Sequence, residues 1–167
     1  MASTLRAAIF TGATPTAASA EGGIKFNRED SASGTTAIPI PTSTGTKHSF
    51  HKNLGLEVTS DDNTAISNKR IHYDGSLPAG VKLWWMASGS YVQAALADSD
   101  AGTDDTGPSG YTAMTSSPVQ YDAGPDDSNV GLNGDYVRVA LSVDSTYNGG
   151  AGSAIALPDI ILTYDEA

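Results

Sequence analysis

Apolar and polar positions alternate with a period of two in several short windows of this 167-residue chain. The clearest is GDYVRVALSVDST, residues 134–146. There Val137, Val139, Leu141 and Val143 alternate with Tyr136, Arg138, Ala140 and Ser142. Successive side chains of a strand point to opposite faces, so this stretch predicts a half-buried strand with polar stops at both ends. Leu54, Leu56 and Val58 predict a second strand, within 48–60. Val81, Leu83 and Trp85 predict a third, and Ile66, Ile71 and Tyr73 mark a fourth within 64–75. Further strands are expected at 24–30, at 91–98, weakly within 111–123, and at the end of the chain after 156. In residues 37–42, Pro39 and Pro41 cannot donate to a ladder, which makes that stretch an edge strand or an extended connection. No window keeps a helical stripe. Many short strands with brief connections predict an all-β chain folded as an antiparallel β-sandwich, immunoglobulin-like or jelly-roll.

Two segments break the pattern. Residues 1–22 are rich in Ala, Thr, Ser and Gly, with Leu5, Ile9 and Phe10 as the sizeable apolar anchors. As a secretory leader the segment fails, because its apolar run is only Ala7–Phe10 before Thr11, Gly12 and Pro15 interrupt it. It reads as an extended N-terminal arm that can be ordered on its own sandwich, a sister subunit or a larger shell, the last two being favoured, and whose removal leaves a sandwich of residues 23–167 folded. Residues 98–135 carry eight aspartates and neither Lys nor Arg, and read as an acidic, loop-rich insertion.

Charge narrows the partners. The net charge is −10, and nucleic acid and anionic membrane surfaces both select for the opposite sign. No stretch approaches the length of an apolar membrane span. The chain has no cysteine, which removes disulfides and thiolate metal sites.

Candidate chemistry is sparse. Asp98, Asp100, Asp104 and Asp105 could wrap Ca²⁺ through oxygen ligands, but Ser109 stands where an EF-hand loop needs a bidentate Glu. The plain reading of that run is a solvated acidic loop. His48 and His51 fall on opposite faces of an extended stretch, and His72 points away from the core, so all three read as surface or interface residues. No G-x-S-x-G elbow accompanies the serines. Adjacent indoles in a strand face opposite ways. One of Trp84 and Trp85 therefore fills the core, and Trp84 with Met86 forms a possible interface. No catalytic residue, cofactor site or enzymatic activity is expected.

Three stretches carry a resemblance. IKFNREDSASGTTAIPIPT, LGLEVTSDDNTAISNKRIHYDGSLPAGVKLWW and DYVRVALSVDSTYNGGAGSAIALPDIILTYDEA resemble, in that order, the opening, the strand–turn–strand centre and the final hairpin of small all-β accessory proteins of tailed bacteriophage virions. The resemblance implies a non-catalytic virion component, assembled in the host cytoplasm. Such a protein decorates and cements the capsid exterior or surrounds the neck. Its implied partners are copies of itself and major capsid or neck/connector proteins. The alternative left open is a secreted carbohydrate-binding or adhesin-type β-sandwich module.

Overall fold

A computed structural model describes residues 4–21, 23–38, 41, 45–60, 65–94, 110–126, 130–149 and 155–166. Among them are ten strands and no helix. In chain order these are β1 (Thr4–Thr11), β2 (Thr16–Ser19), β3 (Thr46–His48), β4 (Lys52–Ser60), β5 (Ile66–Asp74), β6 (Val81–Ser88), β7 (Thr112–Ala113), β8 (Val119–Asp122), β9 (Gly131–Asp144) and β10 (Asp159–Glu166). The larger sheet runs β2-β1-β4-β9-β6-β7, with β3 also paired to β9, and the smaller runs β10-β5-β8. Every pairing is antiparallel.

The 134–146 alternation lies at the centre of the larger sheet. Val137, Val139, Leu141 and Val143 all face the smaller sheet and are buried. Directly opposed residues of antiparallel strands share a face. Register therefore adds Leu54 and Lys52 from β4, and Val81, Leu83 and Trp85 from β6, to the same face. Ile71 and Tyr121 of the smaller sheet complete this core, with Ile160 and Leu162 packed against it.

The N-terminal segment is not an arm laid on a partner. Residues 4–19 form a hairpin, and β1 pairs with β4 along most of its length, Leu5 opposite Val58 and Ile9 opposite Leu54. Ala8, Ile9 and Phe10 are buried, Ile9 to 1% exposure, and Leu5 is half-buried. The anchors expected to grip another subunit are filled by this chain's own sheet. Two backbone contacts fasten the hairpin turn: the N–H of Gly12 donates to Asp30 Oδ2 at 3.0 Å, and its carbonyl accepts from Tyr91 Oη–H at 2.8 Å.

Within the acidic segment, the strand weakly expected at 111–123 is present as two, β7 and β8. Residues 110–126 pair with both sheets, β7 with β6 and β8 with β5, and place Met114 and Tyr121 in the core. Residues 131–135 begin β9. The segments at 24–30 and 91–94 adopt no strand. Each instead crosses over a face of the larger sheet and caps it through side-chain hydrogen bonds.

Candidate functional site

Three features rise above packing: a cleft between the sheets and two buried lysines. The cleft is a cavity of about 490 Å³ where β1 and β4 face β10. Ile24, Phe26, Leu54, Leu157, Ile160 and Leu162 give it apolar walls, and Glu21 and Asp159 add carboxylates to its lining. It arises because the smaller sheet has three strands and does not span the larger one. β10 lines it, as do Ala20 and Glu21 just after β2, and β2 and β10 are each the end strand of their sheet among the described residues.

Lys52 lies in phase with Leu54, Leu56 and Val58, and so points into the sandwich, where it is 1% exposed. An ammonium has three protons to donate, and each finds an oxygen. Nζ donates to Asn27 Oδ1 at 2.8 Å, to the carbonyl of Glu29 at 2.6 Å and to the carbonyl of Ser31 at 2.8 Å. Asn27 is itself buried, and its amide donates to the carbonyl of Gly34 at 2.7 Å. The lysine thus takes the place of a bound cation and ties residues 27–34 over the core. Burial pushes its pKa down to about 8, against the pull of Asp30 and Glu29. Lys52→Met is expected to strand one buried and two part-buried acceptors, at roughly 3 kcal/mol in total. The melting temperature should fall on the order of 10 °C, whereas Lys25→Met at an exposed position should leave it unchanged. A melt of Lys52→Met equal to that of the parent would show that the three contacts carry no net stability.

Lys69 of β5 is fully buried at the other end of the sandwich. Its Nζ lies 2.5 Å from Asp126 Oδ2 and 3.0 Å from Asp122 Oδ2. Burial raises the Asp122 pKa, but the N–H groups of Asp135 and Gly124 and the Lys69 ammonium outweigh it and hold the carboxyl below its usual range. Asp135 is pushed the other way, first by burial and then by the charges of Asp122 and Asp126. Neither lysine was singled out from sequence. Their phase with Leu54 and Ile71 was the available signal.

The residues singled out from sequence come together only in part. Trp84 is 6% exposed, with its indole N–H donating to Ser142 Oγ at 2.8 Å, so it is no exposed interface. Trp85 packs against the core, and Met86 is half-buried opposite Arg138. His48 and His51 are buried rather than superficial, and His51 Nε2 lies 2.9 Å from the carbonyl of Val92. Asp98, Asp100, Asp104 and Asp105 lie outside the described residues. Among the described residues, no three His, Asp or Glu side chains are grouped to hold a metal ion.

An all-β sandwich with a partly open seam is the class these features define. No family model matches the chain, and no curated protein or solved structure is significantly similar to it.

Proposed function

We propose that this chain is a non-catalytic structural protein of a tailed-bacteriophage virion, bound to the capsid exterior or the neck. The observation that carries this reading is the apolar cleft where β1 and β4 face β10, the end strand of its sheet among the described residues. An extended segment of a neighbouring virion protein could pair with such an end strand and set alternate side chains into such a seam. Support also comes from the net charge of −10, which keeps a free subunit dispersed before assembly, and from the resemblance of three stretches to phage accessory proteins. The rival carbohydrate-binding or adhesin reading draws on an exposed indole platform, and the burial of Trp84 counts against it.

The test is co-sedimentation of the purified chain with virions assembled without it. Saturable binding is expected, and it should weaken in Ile160→Asp, which sets a carboxylate in the cleft wall. A folded chain that fails to bind such particles, but is retained on immobilised glycans, would replace this reading with the rival.

A further inference from the structure

The geometry points to an intramolecular isopeptide bond between Lys69 Nζ and Asp126 Cγ, formed within the folded chain. Four observations carry it. First, the amine and the carboxyl are already at 2.5 Å, closer than an ordinary N–H···O contact, with Lys69 fully buried. Second, both partners are fixed. Lys69 lies in β5, opposite Asp122 of β8. The backbone of Asp126 is clamped to the start of the same strand by two hydrogen bonds with Ile66, at 2.9 and 3.0 Å.

Third, a second carboxylate stands beside the amine. Asp122 Oδ2 is 3.0 Å from Nζ and is itself oriented by the N–H of Asp135 at 2.9 Å. Fourth, the backbone of β9 closes over the group. A Cβ at Gly134 would lie 2.1 Å from Asp122 Oδ2 and 2.6 Å from Lys69 Nζ, so only glycine, here at φ +72°, fits. A fully exposed salt bridge would need none of this enclosure.

The step balances without any further reactant. One ammonium proton passes to Asp126 Oδ2, giving a neutral amine beside a neutral acid. The nitrogen lone pair attacks Asp126 Cγ, and the Cγ–N bond forms. Asp122 takes a second proton from nitrogen and delivers it to the departing hydroxyl. The Cγ–O bond breaks, water leaves, and an amide with one N–H remains. Amide formation from a free amine and acid is uphill in dilute solution. Holding the two in register supplies a large effective concentration. Conversion of the ion pair to a neutral amide also removes the cost of keeping the fully buried Lys69 charge from water, while the Asp126 side chain is 36% exposed. Asp122 touches the reacting amine and is the catalytic residue of this step, while Gly134 is a positioning residue.

The test is the intact mass of the denatured full chain, allowing for removal of the initiator methionine. The expected mass is lower than that of the sequence by one water. Peptide mapping should place the loss on one branched peptide joining Lys69 to Asp126. Lys69→Arg and Asp126→Ala should each restore the full mass, and Asp122→Ala should leave most of the chain unlinked. A full-sequence mass for the parent overturns the proposal, whether or not any variant folds. So does a water loss that survives Lys69→Arg, as a succinimide at Asp74-Gly75 would, and so does a branch at Asp122.

Discussion

Val139→Asp is expected to abolish the cooperative thermal transition. Val139 is completely buried in β9, between Lys52 of β4 and Trp85 of β6. Loss of its burial costs about 1.5–3 kcal/mol. An unpaired polar group in the same place adds roughly 2–7 kcal/mol, and an ionised one more. Together these approach the whole stability of an ordinary domain, about 5–15 kcal/mol. Lys52 is adjacent but gives no relief, because its three protons are committed to Asn27, Glu29 and Ser31. Arg138→Ala changes the opposite face and removes one hydrogen bond, to Ser88 Oγ at 2.6 Å, at about 1 kcal/mol. Comparative melts check the pair. Equal damage from both would mean that the two faces of β9 are assigned wrongly.

Deleting residues 1–19 is expected to be as severe, and this reverses the expectation drawn from composition alone. The deletion removes Ile9 and Phe10 from the sheet, about 3–6 kcal/mol of burial between them. It also strips β4 of the partner that covers one of its edges from Asn53 to Ser60. An exposed, apolar strand edge invites aggregation. Insoluble or unfolded truncated protein is the expected outcome, read by solubility and far-UV circular dichroism. A truncated chain with a native-like melt would return residues 1–19 to the status of a dispensable arm.

The contrast between these two regions shows what the sequence makes legible. β9 announces itself because every second residue from Val137 to Val143 is a branched aliphatic. β1 and β2 do not, because much of their buried surface is alanine. Ala7, Ala8, Ala17 and Ala18 read as low-complexity filler until a neighbouring strand lies close against them. Trp84 misleads for a related reason. Alternation separates two faces but does not say that the second face is empty. Here residues 89–94 cross it, with Val92 accepting from Asn53 and contacting His51.

The buried lysines mislead most. Lysine in a strand is expected on the solvent side, so the in-phase positions of Lys52 and Lys69 do not by themselves announce burial in the sequence alone. Their oxygen partners come from loops and from a distant strand, which no local pattern connects. The cleft was equally invisible, since it depends on how far one sheet overlaps the other.

The place of β9 also sets the order in which the molecule can be completed. It is the shared neighbour of β3, β4 and β6, and none of those pairings can form until synthesis has passed residue 131. Until then β4 carries only the β1–β2 hairpin, and its other edge waits. Folding is therefore gated by contacts between distant parts of the chain, which favours slow closure. A nascent chain stalled before β9 would present an open sheet edge to its neighbours on the polysome.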